Sequence, residues 1–250
     1  MTSTDAPTRS ETRSRRLGRA TAYGVVVAVI LIGTGFLIRS TWDPLQRADD
    51  AIITWATDVT RPRDGLRSFL TFWQALTQPI NLYVVGTLLC LGVWLSKGLR
   101  TRAWWAFGTM MFAWFLGLVA KLVVQRARPV VEDPVSEAPG YSFPSGHALN
   151  SAAWASIVVI LVWPLLKPVA ARVVAVVLAV LVVLMTALDR IFLGVHYPSD
   201  VTVGVITGAG LALASYAGYR GWNPPDPSAS NDPDLERGTS RAATATPKET

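Results

Sequence analysis

Six runs of apolar side chains, each close to the length of a bilayer-crossing helix, occupy much of a chain of only 250 residues. They cover about residues 20–38, 80–95, 103–120, 148–165, 169–188 and 201–219. A hydrocarbon core asks for about 20 apolar residues per helix, with a range of about 17–25. A helix can reside there because it satisfies its backbone polar groups within its own segment. Any one run has a second reading, as a buried helix of a large soluble protein. Six of them in so short a chain argue against it. Composition agrees: the chain is 51% hydrophobic and 16% charged, where soluble domains carry about 25% charged residues. The expected fold class is all-α, an integral-membrane six-helix bundle. Cys90 is the sole cysteine, so no disulfide forms within the chain, and it reads as a small buried apolar residue.

Charge sets the expected topology. Arg9, Arg13, Arg15, Arg16 and Arg19 precede the first run, Lys97, Arg100 and Arg102 fill the second loop, Lys167 and Arg172 flank the fourth, and Arg220 follows the last run. With six spans these all fall on one side, which the positive-inside rule assigns to the cytoplasm. The first loop holds Arg39, Arg47, Arg61, Arg63 and Arg67 but also several aspartates. The net charge of +6 is therefore a topology signal, and no nucleic-acid partner is expected. The stretch "IRSTWD" makes a poor cleavage site, so the first run reads as a retained anchor. Residues 1–19 and 221–250 are polar or Pro/Ser/Thr-rich, and are expected to be disordered cytoplasmic tails around a six-span domain at 20–220. In the first outer loop, Leu45, Ala48, Ile52, Trp55 and Val59 share one helical face, and Leu66, Phe69, Leu70, Trp73 and Leu76 share another. Arg61–Pro62 separates them. They predict two short amphipathic helices at the outer interface, or helices packed on the spans.

The odd-numbered loops carry the chemistry. In "KLVVQRARP", Lys121 and Arg128 are seven apart, nearly two helical turns, so on one helix ended by Pro129 both would point the same way. Two cations aimed together suit an anion, although residues at a span end also snorkel. In "FPSGHALNS", Ser145 and Gly146 stand where the fourth run begins. A helix start offers free N–H groups, and glycine permits close approach, as a phosphate-type site requires. A turn and cap is the plainer reading. In "DRIFLGVHYPSDV", Arg190 is a bidentate phosphate donor, and His196 and Asp200 are four apart. Asp200 can hold one ring nitrogen and leave the other as a nucleophile, and can also cap the last span. The chain has two histidines, His147 and His196, and both fall at outer span ends.

Together the segments spell K-x6-R-P, P-S-G-H and R-x5-H-x3-D. This resembles the three-part signature of the type 2 phosphatidic acid phosphatase superfamily over about residues 20–220. The resemblance implies a membrane lipid phosphatase with His196 as nucleophile forming a phosphohistidine and Asp200 orienting it. His147 would be the acid that protonates the leaving oxygen and later the base that activates water. Lys121, Arg128, Arg190, Ser145 and Gly146 would bind the phosphoryl oxygens. Three cations supply the charge such a transition state needs, so no metal and no cofactor is expected. The implied partners are a lipid phosphate or diphosphate substrate and the membrane. Undecaprenyl diphosphate, phosphatidylglycerol phosphate and phosphatidic acid are the candidate substrates, with the site on the outer face of the cell membrane. A phosphotransferase passing the group from His196 to an alcohol is the alternative. A transporter would need ionisable residues along the spans, and their centres hold almost none. The family usually has Ser before the third-motif Arg, where this chain has Asp189. A carboxylate facing a phosphate would repel it, so Asp189 is expected to turn away and pair with Arg126, bracing the third loop against the fifth.

Overall fold

The computed structural model describes residues 9–130, 136 and 138–220. Eight α-helices lie among them: α1 Arg9–Arg39, α2 Asp43–Thr60, α3 Asp64–Leu76, α4 Pro79–Lys97, α5 Arg100–Val124, α6 Gly146–Val162, α7 Val169–Phe192 and α8 Pro198–Tyr219. No strand occurs among the described residues. Six helices are long and apolar enough to cross a membrane, with α6 continued by a 3₁₀ turn to Leu165. They coincide with the six apolar runs.

Local chemistry explains the boundaries. Proline stands in the first turn of α2 and α4, where its missing N–H is harmless and its φ is already helical. Gly98 ends α4 at φ 65°, a left-handed position that glycine adopts without a Cβ clash. Helix α1 begins at Arg9, so it runs through residues expected to be disordered. The Arg, Glu, Leu and Ala of that stretch are good helix formers, and the apolar span extends the helix already nucleated. The outer parts of both tails, residues 1–8 and 221–250, lie outside the described residues.

Helix α8 is central and packs most extensively on α6 and α1. Gly204 and Gly208 let it approach the α6 backbone, and Gly210 lies against Val27 of α1. Without a hydrophobic drive between helices in lipid, such small-residue contact lets backbones approach closely and gain van der Waals packing. Leu149, Ile157 and Leu161 of α6 join Tyr83, Met110 and Ala212 in the main core. Tyr83 Oη lies 2.7 Å from both Met110 O and Asn150 Oδ1. Asn150 Nδ2 in turn donates to Gly146 O at 2.7 Å, tying the first turn of α6 to the core. Helix α7 leaves Val173, Val177, Leu181, Leu184 and Leu188 exposed, as a lipid-facing span does.

Helices α2 and α3 form on either side of Arg61–Pro62, as the sequence predicts. Both pack on α7, and α2 also on α8. In α2 the apolar face is turned outward: Ile52 and Trp55 are exposed, while Asp49, Ile53, Ala56, Thr57 and Thr60 are buried. Apart from Ile53, small and polar residues make the seam with the bundle.

Candidate active site

The C-terminal ends of α5 and α7 and the N-terminal ends of α6 and α8 bring the three sequence motifs to one end of the bundle. Lys121 projects from the last turn of α5 and donates from Nζ to Tyr141 O at 2.7 Å. The helix stops at Val124, because Gln125 takes a left-handed conformation with φ 53°. Arg128 therefore lies beyond the helix, and the expectation that it shares a helical face with Lys121 is corrected. Its convergence comes from loop contacts instead. Arg128 Nε donates to Gly140 O at 3.0 Å, Nη2 to Pro139 O at 3.0 Å and Nη1 to Val195 O at 2.7 Å. Nη1 also lies 3.2 Å from His196 Nε2.

Ser145 caps α6 by position, and its N–H donates to Asp200 O at 3.1 Å, locking the start of α6 to that of α8. Gly146 faces Lys121, whose Cε would lie 3.7 Å from a Cβ built there. Ser145 Oγ and His147 Nε2 are buried without a hydrogen-bond partner, as is His196 Nδ1. Buried polar atoms are normally satisfied; His196 Nδ1 turns toward Asp200, which leaves Ser145 Oγ and His147 Nε2 to mark a place for a polar ligand.

The fifth loop is folded back on Arg190: the Val195 and His196 N–H groups both donate to Arg190 O, at 3.2 and 3.3 Å. His196 is 3% exposed. Burial pushes its imidazole down to about 4, Asp200 opposes that, and the charges of Arg128 and Lys121 add to it. The ring is thus neutral near pH 7, with Nε2 accepting from Arg128 and Nδ1 carrying the proton toward Asp200, a tautomer inferred from the partners. Nδ1 is 3.7 Å from Asp200 Oδ2, too long for a hydrogen bond but close enough to become an ion pair when the ring gains charge. His147 lies within electrostatic reach of His196, Arg190, Lys121 and Arg128. All eight residues singled out in the sequence are therefore at this end of the bundle.

The predicted Asp189–Arg126 pair does not form. Asp189 Oδ2 accepts from Arg190, its own neighbour, at Nε (2.8 Å) and again at Nη2. Arg190 Nη2 also donates to Gln74 Oε1 of α3 at 2.7 Å. Asp189 is fully buried, and the cation its carboxylate meets is the adjacent Arg190. Arg126 turns inward instead. Its Nη1 donates to Asp200 Oδ1 and its Nη2 to Asp49 Oδ2, both at 2.7 Å, and its guanidinium stacks on Tyr197 at 4.0 Å. Burial opposes the Arg126 charge, but Asp200 and Asp49 outweigh it and hold the group above its usual value. Ser142 Oγ and the Tyr197 N–H (3.0 Å) also donate to Asp200 Oδ2. Ser199 donates to Asp49 through its N–H at 2.9 Å and its hydroxyl.

Asp49, Arg126, Ser142, Ser199 and Gln74 were not among the residues assigned to the site from sequence. The available signal for Asp49 was the face beside the apolar one on α2, where small and polar residues such as Ala56, Thr57 and Thr60 suit close helix packing. Toward the membrane interior, α6, α7 and α8 line an apolar cleft of about 430 Å³ that includes Ala152, Ser156, Val159, Ala179, Val183 and Leu213.

The sequence profile of the PAP2 superfamily matches residues 102–224. The chain is 36% identical over 127 residues to decaprenylphosphoryl-5-phosphoribose phosphatase of Mycobacterium tuberculosis H37Rv, covering 48% of this chain and 65% of that protein. It thus spans just under two thirds of that relative's length. The protein of the same name from Mycolicibacterium smegmatis is 36% identical over 162 residues, covering 63% of this chain and 82% of that protein. Phosphatidylglycerophosphatase B of Escherichia coli K12 is 33% identical over 99 residues, 38% of this chain and 36% of that one. The crystal structure of a transmembrane PAP2 type phosphatidylglycerolphosphate phosphatase from Bacillus subtilis superposes with a TM-score of 0.69 at 20% identity, over 83% of this chain and 99% of that one. With six helices long and apolar enough to cross a membrane and this shared fold, the chain is a multi-pass membrane protein.

Proposed function

The chain belongs to the PAP2 superfamily, and from that premise we propose that it hydrolyses a lipid phosphate through a phosphohistidine at His196. The observation that carries this reading is the convergence of both histidines and three cations on one cluster with unpartnered Ser145 Oγ and His147 Nε2. In this reading, Nε2 of neutral His196 attacks phosphorus and the ester oxygen leaves. Lys121, Arg128 and Arg190, with Ser145 and the Gly146 N–H, neutralise the three equatorial oxygens. His147 gives its proton to the leaving oxygen, then takes one from the water that cleaves the phosphohistidine. Asp200 stabilises the charge that His196 acquires. The reaction needs no metal, and turnover in excess chelator tests that part.

The mycobacterial relatives are named for decaprenylphosphoryl-5-phosphoribose, a phosphate ester carried on a polyprenyl lipid. The apolar cleft between α6, α7 and α8 suits a long hydrocarbon chain extending away from the phosphate. A polyprenyl-linked phosphate monoester is accordingly the preferred substrate. The test is phosphate release by the purified protein from decaprenylphosphoryl-5-phosphoribose, phosphatidylglycerol phosphate, phosphatidic acid and undecaprenyl diphosphate. Release from none of them removes the reading.

His147→Ala is expected to slow turnover about 10²–10⁴-fold on an alkyl phosphate. On p-nitrophenyl phosphate, whose leaving group needs no proton, the phosphorylation step should be far less affected, so a burst of p-nitrophenolate should precede slow turnover. Equal losses in the phosphorylation step on both substrates would assign His147 to binding.

Residues 20–220 form the catalytic domain in this reading, with both termini cytoplasmic, the site on the outer face, and α2 and α3 at the outer interface. Cysteine labelling of intact cells, with Cys90 replaced, should modify a cysteine at position 136 and spare one at position 99. The reverse pattern would place the site inward.

A further inference from the structure

We propose that Asp49 is a positioning residue of this site: by balancing the charge of Arg126, it leaves the negative charge of Asp200 available to His196. The inference rests on the function proposed above. It starts from the geometry of a buried chain of charges. Asp49 is 2% exposed, Arg126 7% and Asp200 0%. Arg126 divides its two Nη groups between the two carboxylates at equal distances of 2.7 Å. Asp200 meets Arg126 through Oδ1 and faces His196 Nδ1 through Oδ2.

Consider the cluster without Asp49. Arg126 and Asp200 would form a neutral buried pair, and the carboxylate meant for the histidine would be spent on a guanidinium closer to it. His196 would become cationic on phosphorylation while facing no net negative charge. Around it stand Arg128, Lys121 and His147, with Arg190 behind the loop; the other carboxylate on these elements, Asp189, is engaged by Arg190. One guanidinium between two carboxylates restores a single net negative charge, which is what a nascent imidazolium requires. Low local dielectric makes that balance consequential.

The arrangement also explains the inward polar seam of α2. Asp49 is delivered by the inward face of α2, and its remaining contacts hold it in place. The Ser199 N–H and hydroxyl bind it, and Ser199 lies one residue from Asp200. Gln46, one turn earlier, accepts from Arg126 Nη2 at 3.1 Å. Helix α2 is thereby linked to the start of α8 through Asp49 and to Arg126 through Gln46 and Asp49.

The test compares two anions on the purified full chain. Vanadate takes a five-coordinate form bonded to His196 and so draws positive charge onto the ring. Inorganic phosphate is held by the three cations with no bond to His196. Asp49→Asn is expected to weaken vanadate binding and lower kcat about tenfold, equivalent to about 1.4 kcal/mol. Phosphate affinity and KM should stay unchanged or improve, since a negative charge has been removed. The double variant Asp49→Asn/Arg126→Gln again leaves one net negative charge, on Asp200, and should recover vanadate affinity lost in the single variant. A structural role predicts the opposite, a double variant no better than the single one. Should Asp49→Asn fail to fold, the double variant against the wild type decides: retained vanadate affinity supports the proposal and its loss overturns it. Wild-type protein that neither hydrolyses a lipid phosphate nor loses vanadate binding on His196→Ala would overturn the functional reading itself. If those hold and Asp49→Asn binds vanadate normally, only the role of Asp49 is overturned.

Discussion

His196→Ala is expected to abolish turnover and the covalent phosphoenzyme together, with kcat falling at least about 10³-fold. Removal of a nucleophile leaves only the catalysis that binding and charge neutralisation provide. The magnitude follows from how the imidazole is held. It is buried, neutral and uncharged by its neighbours' design: Arg128 Nη1 donates toward Nε2 at 3.2 Å, so the lone pair points to where the cations gather. No other side chain here can replace it, because His147 is the only other histidine and is assigned the proton transfers. The measurement is single-turnover kinetics with a labelled phosphate ester, quenched in alkali, where phosphohistidine survives. Turnover within tenfold of wild type would place the nucleophile elsewhere. A phosphoenzyme that persists in the variant would do the same.

Much of this site was legible because the chemistry uses scarce residues. Two histidines in the whole chain, both at apolar run ends on one predicted side, forced them together once the spans were counted. The spans themselves followed from run length, which a bilayer fixes. What sequence did not carry was pairing across loops. Lys121 and Arg128 read as one helical face, but Gln125 leaves the helix at φ 53°, and loop carbonyls place Arg128. Asp189 and Arg126 read as partners because both seemed surplus to the signature. In the fold each was already committed, Asp189 to Arg190 and Arg126 to two carboxylates. Asp49 was hidden for a different reason. Periodicity identified the apolar face of α2 correctly, yet in a membrane protein the apolar face can be the outer one, and the functional face is the one left over.

Gly208→Ala is expected to be the most damaging small substitution outside the polar cluster. A Cβ at Gly208 would lie 2.1 Å from Leu149 O and 2.9 Å from Ala153 N. Both are backbone atoms of α6, so no side-chain rotation relieves the clash, and the two helices must separate. Overpacking of a tight core costs about 1–3 kcal/mol, occasionally more, and a rigid backbone contact belongs at the upper end. The consequence reaches the site because α6 carries Ser145, Gly146 and His147 at its start, while α8 starts at Pro198 beside Asp200. Their link, the Ser145 N–H to Asp200 O bond of 3.1 Å, lies two helical turns from Gly208. Separation of the helices should therefore lower activity in whatever fraction remains folded. Thermal unfolding and gel filtration in detergent provide the readout, with Gly92→Ala as control. Nothing lies within 4 Å of a Cβ at Gly92, and alanine there should stabilise α4 by up to about 1 kcal/mol. A Gly208→Ala protein that unfolds at the wild-type temperature would mean that α6 and α8 are not in backbone contact, and the glycine seam would no longer account for how His147 and Asp200 are brought together.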